Sequence, residues 1–368
     1  MLSYLKKLWY KFIHAKIYIK VLVSLIMTLW LLLLLICLIK VNYTVTTPGY
    51  ATNATTRLVI NDEEFKDNKK GQTYTLAVYS SNRVSIFRYL LSSINKKYTV
   101  SEYNPKTDQS DLEEQIAGSI MMDLSTTKAI IAAYTEANKI NPSIYVNYSF
   151  EGMIVESISH TYGDSQLAQG DIITHVKGIK ITSENQFWEI FSRDNIENNR
   201  ILVTVKRGDV VKDLNLYLHS TEDGGYYVGF RSEAYYVIDA ENSYPSYTIK
   251  STNTIGPSGG LLQTLSIYNM LFNEDITGGK VVVGTGTIEL KYDDENNLDF
   301  YGGAIGAIKQ KIITAYQSDK VSNIDVFFVD AADYDDALEA YNEFAKGAFD
   351  LVKVEKFEDI INYFKEAK

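Results

Sequence analysis

Near the end of the chain a Gly-rich turn, Gly256-Pro257-Ser258-Gly259-Gly260, sets one serine ahead of an apolar stretch. Further on, Lys309 sits in Gly306-Ala307-Ile308-Lys309-Gln310-Lys311. A serine at a helix start and a desolvated lysine amine are the parts of a hydrolase in which the amine removes the hydroxyl proton. Pro257 suits a first helical position, which places Ser258 in the first turn. There unpaired amides and the positive end of the helix dipole stabilise an oxyanion, and the flanking glycines let a substrate backbone approach. A serine there that only caps the helix is the plainer alternative. For the lysine, a helix over residues 305–316 advances about 100° per residue. Ile308, Ile312, Ile313 and Tyr316 then share one face, Lys309 falls inside that arc, and Gln310 and Lys311 fall outside it. The spacing predicts Lys309 buried and Lys311 solvated. Burial lowers a lysine pKa from about 10.4 and yields a neutral base near pH 7. The alternative is a lysine that extends its head to water along its own stem.

The elements that must position this pair read as α/β sequence. Leu261, Leu265, Tyr268 and Phe272 recur at three to four residues and anchor a helix over 261–272. Strands are expected at 248–251, 280–283 and 326–329, with a further helix at 334–345. Ahead of them, 75–79 reads as a strand, 84–95 as a helix and 112–139 as a longer helix. Residues 149–218 change character to short strands at 152–157, 171–176, 201–206 and 214–218, with one helix at 183–192.

Residues 21–39, VLVSLIMTLWLLLLLICLI, carry no charge and are long enough to cross a bilayer as a helix. Lys6, Lys7, Lys11, Lys16 and Lys20 precede them without an acidic residue, which predicts a cytoplasmic tail over 1–20 and everything after Lys40 outside. A cleaved signal peptide is disfavoured, because Lys40, Val41, Asn42 and Tyr43 replace the small residues of a cleavage site. Residues 40–72, with a Pro48-Gly49 turn signal, read as a stalk. The single cysteine, Cys37, lies in the apolar segment, so neither an intrachain disulfide nor a cysteine metal site is possible. With the five leading lysines set aside, 31 of the 36 basic residues stand against 46 acidic ones. That balance disfavours nucleic acid or an anionic membrane surface as a partner of the outer part.

Leu167, Gly170, Asp171, Ile173, Val176 and Gly178 resemble the L-x-x-G-D-x-I-x-x-V-x-G pattern of PDZ domains, and residues 201–207 resemble the penultimate strand of that family. The resemblance implies a domain over 145–220 that binds an extended peptide by strand addition. It places the carboxylate-binding loop at Ser149, Phe150, Glu151, Gly152 and Met153. A β-rich spacer that binds nothing is the alternative.

The C-terminal segment is similar to the proteolytic domain of Lon-type Ser-Lys proteases. Residues 256–261 match its G-P-S-A-G nucleophile motif, 305–309 its I-G-G-I-K lysine motif, and 284–288 its G-T-G-T-I strand. The resemblance implies Ser258 as nucleophile, Lys309 as general base and Thr285 as the hydroxyl that orients the lysine. Gly256, Pro257 and Gly259 shape the turn. Gly259 and Ala307 stand where the family has Ala and Gly, Ile255 where Gly or Asp is common, and 289–301 form a longer acidic turn.

The order of anchor, PDZ domain and Lon-type domain resembles the membrane-bound PDZ-Lon peptidases of Gram-positive bacteria. This implies an α+β fold: a Lon-type protease domain built from 73–141 and 226–368, with the PDZ domain inserted and one transmembrane helix in front. No G-x-x-x-x-G-K-[ST] occurs, so ATP-driven unfolding is not expected. His14, His160, His175 and His219 offer no triad for trypsin-like chemistry and no H-E-x-x-H metal motif. The expectation is an ATP-independent peptidase outside the cytoplasmic membrane, without cofactor or metal, acting on peptides or flexible segments and oligomeric only by analogy with Lon rings. A PDZ-bearing scaffold with an inactive Lon-like domain is the alternative.

Overall fold

A computed structural model describes residues 9–62, 65, 71–191, 196–222, 225–250, 254–292 and 297–366. Parts of several sequence expectations lie outside these residues: the first eight of the basic tail, Ser192, Ser251, and 293–296 of the acidic turn. In chain order the elements begin with α1 (Ile17–Leu38), β1 (Tyr43–Asn53), β2 (Leu58–Ile60), β3 (Gln72–Ser81), α2 (Ile86–Ser93), β4 (Thr99–Glu102) and α3 (Asp111–Asn138). A β-rich stretch follows with β5 (Tyr145–Ile158), β6 (Ile172–Val176), β7 (Ile179–Lys180), α4 (Glu184–Ile190), β8 (Arg200–Arg207), β9 (Val210–Tyr217), β10 (His219–Ser220), β11 (Tyr226–Tyr227), β12 (Phe230–Tyr244) and β13 (Tyr247–Ile249). The last part holds α5 (Gly260–Met270), β14 (Val281–Thr285), β15 (Thr287–Tyr292), β16 (Leu298–Gly303), α6 (Ile308–Gln317), β17 (Val326–Asp330), α7 (Tyr334–Phe344), β18 (Asp350–Val354) and α8 (Phe357–Glu366).

The chain divides into two units, one of Met1–Val45 with Ser80–Tyr103 and one of Thr46–Tyr79 with Asn104–Lys368. In the first, α1 is a 22-residue apolar helix, a length that spans roughly 33 Å, and none of its residues is buried. Such a helix suits a membrane span or a signal sequence.

In the second unit β18, β17, β14 and the parts of β3 and β1 over 72–79 and 46–53 lie side by side in that order, and the β18-β17-β14-β3 pairs are parallel. β17 reads Val-Phe-Phe-Val because both of its faces are covered. Val326 and Phe328 pack with α3, α5 and α8, whereas Phe327 and Val329 pack with α6 and α7. Helices on both faces of a largely parallel sheet make a three-layer core.

The structure departs from two expectations. The described residues of 40–72 are not a stalk: β1 is a strand of the central sheet, with Ala51 buried. Its Pro48-Gly49 pair is no turn. A Cβ on Gly49 would lie 2.3 Å from the Ala77 carbonyl oxygen, so glycine lets β1 meet β3, and its amide donates to Thr314 Oγ1 at 3.0 Å. The β-rich sheet also extends past residue 220. β12, from the segment assigned to 226–368, pairs antiparallel with β5 along its length in the order β12-β5-β6-β8-β9. This sheet has its own core around Met153, Ile173, Phe187, Val203 and Ala234. At its heart the fully buried Asp171 takes two hydrogen bonds from Arg207, both 2.6 Å, and one from the Ala168 amide at 2.9 Å. The Gly-Asp of the sequence pattern is thus a structural clasp.

Candidate active site

Helix α5 starts at Gly260 with Gly259 as its N-cap, so Ser258 stands in the turn before the first helical residue and not in the first turn. Neighbours hold this turn on both sides. The Gly256 amide donates to the Gly118 carbonyl of α3 at 2.8 Å, and Ser125 Oγ donates to the Pro257 carbonyl at 3.1 Å. Gly260 packs so closely that a Cβ would lie 2.6 Å from Ser125 Oγ and 3.0 Å from Ile288. The Ser258 carbonyl accepts from the Gly286 amide at 2.9 Å and from Thr285 Oγ1 at 3.0 Å, and the Leu261 amide donates back to the Gly286 carbonyl at 3.1 Å. The turn is therefore laced to the end of β14. Among the described residues the Ser258 and Gly259 amides make no hydrogen bond, which leaves two adjacent donors at a helix N-terminus.

The structure reverses the assignment of the two lysines. Lys311 is 3% exposed, and Lys309 is only half-buried. Helix α6 begins at Ile308, after Ala307 in the left-handed region (φ 60°, ψ 37°). From there it is buried round most of its circumference, including Gln310, Lys311, Thr314 and Ala315. The narrow strip left to solvent holds Lys309 and Tyr316, the latter 54% exposed. Apolar spacing misassigned the lysines because it counted Tyr316 as core and the polar inner side as surface. The usable signal was Ile308, Lys311, Ile312 and Ala315 at i, i+3, i+4 and i+7.

Lys311 Nζ donates to Thr285 Oγ1 at 3.0 Å, and Thr285, fully buried, donates onward to the Ser258 carbonyl. Burial pushes the Lys311 amine down to about 7, with Asp333 opposing part of that fall. Asp333 is itself pushed up by burial, while the Ile305 amide, 2.7 Å from Oδ2, opposes the rise. A lysine that titrates near pH 7 is neutral in a substantial fraction there, and the neutral amine has a lone pair able to accept a hydroxyl proton.

The peptide-binding loop expected at Phe150, Glu151, Gly152 and Met153 is not a loop. All four residues lie within β5, where Phe150 faces Tyr236, Gly152 faces Tyr235 and Met153 faces both Ala234 and Ile173. The β12–β5 register shifts by one residue at Glu151, and such a bulge puts loop-like residues inside a strand. The sequence reading missed the turn before β12, Tyr227-Val228-Gly229-Phe230, where Gly229 has φ +77°. Among the described residues β12 has a strand neighbour on one side only. Helix α4 flanks it, with the Phe191 ring 6.0 Å from Phe230 and Glu184 in the field of Glu233. A groove of about 730 Å³ is lined by Tyr227, Gly229 and Phe230 together with Gly118, Met121 and Pro257, so the start of β12 and the serine turn share one cavity.

A buried ion-pair node also joins the two regions. Lys128 of α3, 6% exposed, lies 3.0 Å from Glu233 of β12 and 2.5 Å from Glu289 of β15. Burial alone would lower its pKa, but Glu289 and Glu233 hold it above the usual lysine range.

No family model and no curated protein matches the chain. Among solved structures it is similar to the PDZ domain of an SdrC-like protein from Listeria monocytogenes, at 20% identity over 23% of this chain and 90% of that one, TM-score 0.21. It is likewise similar to the PDZ domain of an SdrC-like protein from Listeria innocua, at 18% identity over 23% of this chain and 96% of that one, TM-score 0.21.

Proposed function

We propose that the chain is an ATP-independent serine peptidase in which Ser258 is the nucleophile and Lys311, not Lys309, is the general base. The observation that carries this reading is the Lys311–Thr285–Ser258 chain of hydrogen bonds around an amine that burial brings to about 7. Neutral Lys311 takes the proton of the Ser258 hydroxyl as the oxygen bonds to a peptide carbonyl carbon. The Ser258 and Gly259 amides receive the oxyanion. The Lys311 ammonium then gives its proton to the leaving amine as the C–N bond breaks, and a water activated by the same amine hydrolyses the ester. Thr285 holds the amine through its oxygen, which leaves the lone pair of Nζ available to Ser258.

The β12 edge beside α4 suits an extended peptide added as a further strand, in the manner of a PDZ domain. Its start shares a cavity with Pro257, which supports delivery of a bound segment toward Ser258. An uncleaved α1 with the basic residues ahead of it supports a single-pass anchor with the site outside the membrane. A peptide-binding scaffold without turnover is the second reading, favoured by Lys311 Nζ bonding Thr285 and not Ser258.

The test is mass-spectrometric detection of fluorophosphonate labelling and of peptide cleavage by the purified protein. Label at Ser258, absent in Ser258→Ala and Lys311→Ala but kept in Lys309→Ala, is expected. Unchanged cleavage in Ser258→Ala would exclude the mechanism, and peptide binding with neither label nor cleavage would favour the scaffold.

A further inference from the structure

Helix α2 wears its apolar side outward. Phe87, Leu90, Leu91 and Ile94 follow one another at i, i+3, i+4 and i+7 and are 41%, 53%, 49% and 79% exposed. The face turned inward carries Ser92, which is buried, and Tyr89, whose ring lies 4.4 Å from that of Tyr43. A helix facing water has the opposite arrangement. The helix is well started, with the Ser85 side chain accepting from the Arg88 amide at 3.2 Å, so the exposed face belongs to a formed element.

The position of α2 says what covers that face. The Ile86 amide donates to the Ile39 carbonyl at 3.0 Å, the Val41 amide to the Val84 carbonyl at 2.9 Å, and Lys40 bridges Ser85. The helix therefore begins beside the residues at which the apolar α1 ends. Its surroundings are basic: Ser80–Tyr103 carries Arg83, Arg88, Lys96 and Lys97 against Glu102 alone, in a chain whose outer part is otherwise acidic. Net acidity argued against an anionic membrane surface as a partner, but this local charge runs the other way.

We propose that α2 lies in the membrane interface where α1 emerges. Phe87, Leu90, Leu91 and Ile94 enter the boundary between headgroups and acyl chains, and the neighbouring arginines and lysines meet anionic headgroups. The inference rests on α1 being a membrane span. The full chain, with Cys37→Ser, is placed in vesicles of equal parts phosphatidylcholine and phosphatidylglycerol. Ile94→Cys or, as reference, Leu29→Cys in α1 carries an environment-sensitive fluorophore, and quenching by lipids spin-labelled near the headgroup or deep in the chain is compared. The Ile94 probe should emit blue-shifted and be quenched more by the shallow label, and the Leu29 probe more by the deep one. A quenched Leu29 probe with a water-like, unquenched Ile94 probe overturns the proposal and leaves the anchor standing. Blue-shifted but unquenched emission at Ile94 means that protein covers the face, which also overturns it. If neither probe is quenched, the anchor itself fails and the proposal with it. With phosphatidylcholine alone the Ile94 emission should move part of the way back toward that in water, and no change would refute the headgroup contacts.

Discussion

Lys311 and Thr285 are joined across the candidate site by a 3.0 Å hydrogen bond, and both side chains are sealed from solvent. Two residues earlier on the same helix, Lys309 is half-buried and outside that contact. Under the proposed mechanism Lys311→Ala should lower kcat/KM by at least about 10³, the range seen when the base of a nucleophile pair is lost. Lys309→Ala should stay within about twofold. The neutral amine is the active form, so kcat/KM of the parent should rise with pH through about 7 and then level off. Peptide hydrolysis across that range checks both statements.

Thr285 donates to the Ser258 carbonyl and accepts from Lys311, so its hydroxyl is placed to position both partners. Thr285→Val keeps the shape, removes that link and leaves Nζ without its acceptor. Loss of a hydrogen bond to the charged amine lowers its pKa further. The rise in kcat/KM should therefore move to more acid pH while its plateau falls by about 10²-fold. Thr285→Ser should restore both; a valine variant with an unshifted profile would reduce Thr285 to packing.

The burial of Lys311 also has a cost that pH exposes. Unfolded, the amine holds its proton up to about 10.5, and folded, only to about 7. Between those values the unfolded state binds more protons, so stability rises with pH across that window, and below about 7 the penalty is present in full. Lys311→Met should raise unfolding stability by roughly 3–5 kcal/mol near pH 6.5, less near pH 10, and should flatten the slope between. Urea midpoints at several pH values measure this, and equal slopes in the two proteins would refute it.

Much of the local structure of the candidate site was legible because its signals are local. Gly256-Pro257-Ser258 marks a turn, and the apolar run at 280–283 marks the strand that ends at Thr285, a residue singled out only by its likeness to the Lon-type motif. The lysine was not legible in the same way. Apolar periodicity assumes one wet side, and α6 is packed between the sheet and α7 with only a strip open, so its polar residues carry no surface signal. Ala307 adds to this: an L-residue in the left-handed region breaks the helix that the pattern from Ile305 predicts. β1 and β12 escaped for a different reason. Thr-rich and Tyr-rich strands with a Pro-Gly pair or a bulge have weak alternation, and long-range partners such as β3 and β5 define them.

The strain at Ala307 can be tested directly. A left-handed alanine costs about 1 kcal/mol relative to glycine, which adopts that conformation freely. Ala307→Gly should raise stability by up to about 1 kcal/mol in urea unfolding, with the greater freedom of glycine in the unfolded chain offsetting part of the gain. Destabilisation would mean that the alanine methyl packs more usefully than its backbone suffers.

Lys128 ties β12 of the β-rich sheet to β15 next to Gly286, and each of its two carboxylates keeps about a third of its surface in water. Lys128→Met leaves Glu233 and Glu289 facing each other without a cation. Removing one member of a buried pair costs about 3–5 kcal/mol, and the partial exposure of the carboxylates brings the expected loss to about 2 kcal/mol. Adding Glu289→Gln to Lys128→Met should recover part of that loss, since it removes the repulsion that the lysine had neutralised. Glu289→Gln alone should be nearly silent, because Glu233 still pairs the amine. If the double variant is no more stable than Lys128→Met, the lysine acts through its aliphatic stem and not through its charge.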